Sequence, residues 1–172
     1  MKVKYIMPFI FLFSLLGFLG WELFYSPQRE LPSALVGNDL PSFTLPNVYS
    51  DKPALRSESL QGSTVLLNVF ASWCHSCQAE HQMLMKIKNE YKVPIFGIAY
   101  KDTAENIGVF IKKNGNPYVL IGNDSTGDIG IDLGVYGTPE TFVVKSGKII
   151  YRHIGILDQQ SWDEKISPLI KG

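Results

Sequence analysis

The sequence predicts an α/β domain with a partly parallel sheet, carried behind an N-terminal transmembrane helix. Three observations point there. Residues 63–70 (STVLLNVF) and 93–100 (VPIFGIAY) are continuous apolar runs with β-branched residues, the pattern of strands buried on both faces. An amphipathic stretch follows each of them, and strands alternating with helices favour parallel pairing. Ahead of both, residues 5–21 (YIMPFIFLFSLLGFLGW) run without a charge.

That first stretch, extended to Tyr25, reaches the ~20 residues needed to cross a bilayer core, interrupted only by Glu22. Trp21, Phe24 and Tyr25 would lie at the far interface, where amphipathic rings collect, and Pro8 is tolerable in the first turns. A cleaved signal peptide is the rival reading. Cleavage favours small residues three and one before the cut, and Phe18-Leu19-Gly20 offers only the second. An uncleaved anchor is therefore expected over residues 1–25. Lys2 and Lys4 would hold its start in the cytoplasm, leaving the rest in a periplasm-like space. Residues 26–36 (SPQRELPSALV) read as a polar, Pro-containing tether, and residues 37–172 suffice for one core.

Within that domain, residues 37–48 mix turn residues with a short alternation, an edge strand ending at Pro46. After the strand at 63–70, Met83, Leu84, Ile87 and Tyr91 recur at helical spacing. The strand at 93–100 leads to a helix over 103–115, with Thr103 as N-cap, Ile107, Phe110 and Ile111 inward, and Gly115 ending it. Residues 118–122 (YVLIG) look like a short strand, and 123–137 a loop with one helical turn. Residues 141–155 read as a hairpin turning at Ser146-Gly147. A helix over 158–170 closes the chain, capped by Asp158 with Trp162, Ile166, Leu169 and Ile170 inward.

Sixteen Lys and Arg balance sixteen Asp and Glu, and no basic run exceeds two residues. That excludes the clustered positive surface a nucleic-acid binder needs.

Both cysteines lie in residues 70–81 (FASWCHSCQAEH), at Cys74 and Cys77. A structural zinc site needs four ligands, and only one cysteine pair and three scattered histidines (His75, His81, His153) are present. A copper-type site asks less, since thiolates suit soft metals. A structural disulfide gains with loop length, and two intervening residues close nearly the smallest loop. The third reading rests on position. A buried strand hands over to a helix here, so Cys74 falls at or before the first turn. The unpaired amides and dipole there stabilise a thiolate, which a second cysteine can relieve of a mixed disulfide. An extracytoplasmic compartment supplies disulfides to act on.

The order strand, Trp73-Cys74-His75-Ser76-Cys77, helix resembles the thioredoxin fold, with its central mixed sheet flanked by helices. Residues 65–81 (VLLNVFASWCHSCQAEH) and 134–142 (GVYGTPETF), supported by YKD (100–102), GNPY (115–118) and YRHIG (151–155), narrow the resemblance. With the anchor, they are similar to the membrane-anchored thiol:disulfide interchange proteins of cytochrome c biogenesis, the CcmG or DsbE family. The Cys motif alone identifies only the superfamily; GVYGTPETF makes the resemblance specific.

The resemblance implies a single-pass protein of the bacterial inner membrane with its catalytic domain in the periplasm. It would reduce disulfides of apocytochrome c, or of a partner handling it, before haem attachment. A membrane thiol transporter of the DsbD or CcdA kind would re-reduce it, with no bound cofactor and no metal. Cys74 would be the nucleophile and Cys77 the buried resolving thiol. Thr138-Pro139 matches a cis-proline loop opposite the dithiol, against the plainer reading of a trans proline ending a loop. Thr138 would offer its backbone to an extended substrate, as in strand addition.

Asn68 stands where ordinary thioredoxins have a buried Asp, and Asn cannot ionise. Glu80, three residues past Cys77 on one helical face, and Glu140, after Pro139, match acidic positions of the family. A partly buried carboxylate can move protons near neutrality. The plainer readings are a solvated first-turn acid for Glu80 and a rim charge used in partner recognition for Glu140. His75 departs from the proline more usual in the family. A protonated imidazole there would stabilise the Cys74 thiolate and push the pair towards oxidation, unless it merely faces solvent. Trp73 would shield the dithiol and help dock the substrate, with simple packing as the alternative. A general extracytoplasmic reductase and a copper or haem-pathway metallochaperone remain as rival functions.

Overall fold

A computed structural model describes residues 3–25 and 35–171. The chain divides into two compact units, residues 1–31 and 32–172. The first contains one helix, α1 (Val3–Tyr25), with Pro8 inside it and Phe9, Phe11, Phe13 and Leu16 exposed. Among the described residues, no helix is long and apolar enough to cross a membrane. Lys2, the side chains of Lys4, Phe24 and Tyr25, and all but the last two residues of the expected tether at 26–36 lie outside the described residues.

The second unit is built on a five-stranded mixed sheet. Its strands are β3 (Val65–Phe70), β4 (Ile95–Tyr100), β5 (Ile121–Asp124), β6 (Glu140–Lys145) and β7 (Lys148–Ile154), in the order β5-β4-β3-β6-β7. The two expected apolar runs become β3 and β4, paired in parallel with Asn68 opposite Gly97. All six residues of β3 are buried, as its central place requires. Helix α2 (His75–Lys86) connects β3 to β4, and α3 (Ala104–Asn114) connects β4 to β5. Both crossovers step the same way across the sheet, so right-handed connections put both helices on one face. A cluster including Leu66, Phe70, Leu84, Ile107, Phe110 and Trp162 fills that side. Alternation along β3 sends Asn68 to the same face, between Leu66 and Phe70.

On the other face Leu67, Val69, Phe96 and Phe142 meet Phe43, Leu45, Leu55 and Leu60 from the N-terminal segment. The edge strand expected before Pro46 is the two-residue β1 (Thr44–Leu45), paired with β2 (Leu55–Arg56) in a separate small sheet. The flanking backbone covers the β5 edge of the large sheet and the start of the β7 edge. Asn38 and Leu40 bond residues 149 and 147, while Pro46 and Val48 bond residues 123 and 121. Covered edges remove a template for pairing with other chains.

Other local expectations hold with small shifts. The Thr103 side chain caps α3 by accepting from the Asn106 N–H, and Gly115 follows its end with φ +88°. β5 lies three residues later than the apolar run suggests. Asn116 Oδ1 accepts from the Tyr118 N–H in a local turn that holds Tyr118 out of the strand. The single turn expected in the following loop is α4 (Asp128–Asp132), capped largely by the buried Asp124. Ser146 and Gly147 both have positive φ (51° and 78°), the geometry that matches a two-residue hairpin turn to twisted strands. Asp158 caps the closing helix, which runs through α5 (Gln159–Ser161), a π-helical segment (Trp162–Ile166) and α6 (Ser167–Lys171).

Candidate active site

The site lies at the carboxyl ends of β3 and β4, where a strand-to-helix turn lifts residues 71–74 above the sheet. Cys74 is the N-cap of α2, with its sulfur 3.1 Å from the Cys77 N–H that donates to it. Cys74 and Cys77 are joined in a disulfide. Both are largely covered, with Cys74 keeping 6% exposure against 2% for Cys77. The helix-start amides that an anionic Cys74 would need are in place.

Two loops frame the pair. On one side, Asp102 Oδ2 accepts from the Ser72 N–H at 2.7 Å, and the exposed Trp73 donates its indole N–H to the Lys101 carbonyl at 3.2 Å. On the other, the Thr138-Pro139 bond is cis, and the Thr138 carbonyl oxygen lies 3.4 Å from Cys74 Sγ. His75 opens α2 in solvent.

Beneath the dithiol is a buried polar chain. Tyr118 donates its hydroxyl to Asn68 Oδ1 at 2.8 Å. The Asn68 amide in turn donates to Glu80 Oε1 at 2.9 Å and to Thr141 Oγ1 at 3.0 Å. Glu80 Oε2 accepts from the Leu157 N–H at 3.1 Å. Gly97 makes room for this chain, because a Cβ there would stand 2.9 Å from the Phe70 ring and 3.0 Å from that of Tyr118. Glu80 is only 1% exposed. Burial pushes its carboxyl up to about 7, against the opposing pull of the Asn68 and Leu157 hydrogen bonds. It is therefore a buried acid one helical turn past Cys77, not a solvated first-turn charge, and it exchanges a proton near neutrality. Burial raises the Tyr118 phenol well above its usual range, and the Glu80 charge adds to the rise.

Glu140 is fully buried. Its Oε1 accepts from the Tyr136 N–H at 2.8 Å, and its Oε2 pairs with Arg152 through Nε and Nη2, each at 2.7 Å. The carboxylate thus sits under the cis-proline loop and is not displayed at its rim. His81 Nε2 lies 3.0 Å from the Gly115 carbonyl and His153 Nε2 lies 3.1 Å from that of Ile156, so both rings are engaged by backbone carbonyls.

The structure brings Cys74, Cys77, Thr138 and Pro139 together beside Trp73, with Glu80 one helical turn past Cys77 and hydrogen-bonded to Asn68. Sequence reasoning gave no role to Tyr118, Thr141, Asp102, Arg152 or the Leu157 N–H. Tyr118, Asp102 and Arg152 do fall within the short stretches GNPY, YKD and YRHIG, which signalled that those segments matter without saying why.

Residues 35–166 match the redoxin family. The thiol:disulfide interchange protein DsbE of Pasteurella multocida (strain Pm70) is 41% identical over 174 residues, covering 98% of this chain and 96% of its own. The protein of the same name from Escherichia coli (strain K12) is 39% identical over 176 residues, covering 98% and 95%. Among solved structures, the thioredoxin domain of a thiol-disulfide oxidoreductase from Bacteroides vulgatus has a TM-score of 0.67 at 19% identity, over 78% of this chain and 97% of that one. At that identity it speaks for the thioredoxin-like fold alone. Nearly full-length relatives at about two residues in five, together with the disulfide at the start of α2, place the chain in the redoxin family, among the DsbE thiol:disulfide interchange proteins.

Proposed function

We propose that this thiol-disulfide oxidoreductase works as a reductant in cytochrome c maturation, in the periplasm and tethered to the inner membrane by residues 1–25. The observation that carries the chemistry is the Cys74–Cys77 pair capping α2, with the Thr138 carbonyl 3.4 Å from Cys74 Sγ. The maturation role rests on the family and its DsbE name.

In the reduced state the Cys74 thiolate attacks one sulfur of a substrate disulfide, forming a mixed disulfide and releasing the first substrate thiolate. Cys77 loses its proton and attacks Cys74 Sγ, releasing the second thiolate. Two electrons have then passed to the substrate, whose two thiolates take up protons from solvent and from the group that received the Cys77 proton, and the enzyme is left with the disulfide present here. Glu80 is the group beneath Cys77 suited to take the proton, being buried and titrating near neutrality. The exposed face of Trp73 and the backbone of Thr138 receive the substrate chain. A membrane thiol transporter of the DsbD or CcdA kind restores the dithiol, and apocytochrome c or a protein handling it is the substrate.

Equilibration of Cys74/Cys77 with glutathione tests the direction of electron flow. A reducing potential is expected, and one near the ~−120 mV of a strong oxidant would overturn it. Cys77→Ser should trap the substrate as a mixed disulfide on Cys74. Cytochrome maturation proteins in that trap are the expected result, whereas a broad set of unrelated proteins would indicate a general extracytoplasmic reductase.

A further inference from the structure

Past β7 the chain turns at Gly155 (φ +92°), whose N–H donates to the Pro139 carbonyl at 2.9 Å. The turn lays the peptide unit between Ile156 and Leu157 against two buried side chains. Its N–H donates to Glu80 Oε2 at 3.1 Å, and its carbonyl oxygen lies 3.1 Å from His153 Nε2. A carbonyl can only accept, so Nε2 carries the hydrogen and His153 is the donor. Glu80 and His153 thus hold opposite ends of one amide.

A second link runs through the sheet. His153 stands directly opposite Thr141, whose Oγ1 takes the Asn68 amide that also binds Glu80. Opposed residues of paired strands share a face, so His153 borders the buried polar chain from the β7 side, at 5% exposure. With the hydrogen on Nε2, the other ring nitrogen is an acceptor. Nδ1 is buried and has no hydrogen-bond partner among the described residues. Buried polar atoms are rarely left so, and the disulfide-exchange steps use neither nitrogen of this ring.

We propose that His153 is a positioning residue for Glu80, holding the Ile156–Leu157 peptide so that its N–H stays on the carboxylate that receives the Cys77 proton. This deepens the proton step proposed for Glu80 and rests on it. The His153 hydrogen stays on Nε2 throughout; the proton that moves is that of Cys77. Hydrogen bonds in series polarise one another, so donation to the Ile156 carbonyl makes the Leu157 N–H a better donor to Glu80. Without the ring the carboxylate loses part of its support and keeps its proton to higher pH. Titratable groups face the two side chains from each packed element: Cys77 on α2, Tyr118 ahead of β5, Tyr151 on the same side of β7, and Asp158 at the closing helix. Asp158 is held below the usual carboxylate range, first by the Ser161 N–H that it caps and further by the nearby His153.

The test uses the full chain in detergent with glutamate carboxyls labelled with carbon-13, the Glu80 signal being the one lost in Glu80→Gln. His153→Leu should raise the Glu80 midpoint by about one pH unit, the worth of a weakened hydrogen bond to a charged group. His153→Gln, whose amide can donate to the same carbonyl, should stay close to wild type. In single-turnover reduction of a disulfide peptide, sampled by acid quench, His153→Leu should slow resolution of the mixed disulfide about fivefold near pH 7. The two rates should converge near pH 9, and formation of the mixed disulfide should be unchanged. If His153→Leu fails to fold, the nitrogen-15 shifts of the wild-type ring decide. They should show hydrogen on Nε2 and an inflection at the Glu80 midpoint that disappears in Glu80→Gln. An unmoved midpoint in His153→Leu, equal slowing at every pH, or hydrogen on Nδ1 would overturn the inference and leave the Glu80 step standing. An inflection in the resolution rate that survives in Glu80→Gln would instead sink the proton role of Glu80, and this inference with it.

Discussion

The side-chain amide of Asn68 donates a 2.9 Å hydrogen bond to the buried carboxylate of Glu80. A strand position that cannot ionise is thereby joined to a helix position that can, one turn beyond Cys77. The amide is itself oriented by the Tyr118 hydroxyl, so the acid inherits its placement from three elements of the fold.

Glu80 makes stability depend on pH. Its folded value of about 7 lies above the ordinary 4.5, so the native state holds a proton that the unfolded chain releases between these pH values. The contribution is fully present below pH 4.5 and is lost as pH rises through about 7, on the order of 3 kcal/mol in all. Glu80→Gln should remove this loss and raise stability at pH 8 in urea unfolding. The gain is trimmed because a glutamine NH2 must face the Asn68 amide or the Leu157 N–H. The same variant should slow resolution of the mixed disulfide and abolish the inflection near neutrality in its rate.

His81 has the opposite sign. Burial lowers its pKa below 6.5, with hydrogen bonds to backbone carbonyls opposing the shift. The unfolded chain therefore binds a proton first, and stability falls as pH drops below 6.5. His81→Gln should flatten this acid limb, leaving the Glu80 trend exposed in thermal unfolding between pH 5 and 7. An acid limb unchanged in that variant would mean another group is responsible.

Gly97→Ala should cost about 1–3 kcal/mol, because the added Cβ collides with the Phe70 and Tyr118 rings, which stack at 4.7 Å. Moving Tyr118 also breaks its bond to Asn68. The inflection assigned to Glu80 should therefore shift in this variant, which a purely steric cost elsewhere in the core would not produce.

Asp102 ties the turn before Cys74 to the start of α3, accepting from the Ser72 and Thr103 N–H groups at 2.7 Å each. Asp102→Ala leaves both donors without that partner and should cost about 1–3 kcal/mol. Trp73 fluorescence should report a loosened ring, since its anchor is the carbonyl of neighbouring Lys101. Asp102→Asn retains one acceptor and should recover part of the loss.

What the sequence made legible was local. β3 and β4 announced themselves by composition, Thr103 and Asp158 by cap chemistry, and Ser146-Gly147 by turn chemistry. Each depends on neighbours a few positions away. β5 was misplaced because Tyr118 looks like a strand residue but is committed to Asn68, 50 positions earlier. β1 and β2, two residues each, are too short for any periodicity. In the site, Cys74 and Cys77 were plain from spacing and position, and the cis Thr138-Pro139 bond from the family resemblance. Arg152 was not legible, since its bond to Glu140 spans a hairpin of 12 positions and depends on strand register. The N-terminal helix was legible as an apolar run, and α1 forms over it, while the membrane reading stands on the sequence.

The register of β3 also bears on how the chain is completed. One neighbour, β4, follows soon after in the sequence, but the other is β6, with Val65 opposite Val144. Glu80 likewise waits for Leu157 to supply its second donor. A chain emerging amino-end first therefore presents both cysteines on a half-built sheet, before β6 and β7 are in place. The acid proposed to take the Cys77 proton gains its second hydrogen bond only once the chain has passed β7 and reached Leu157.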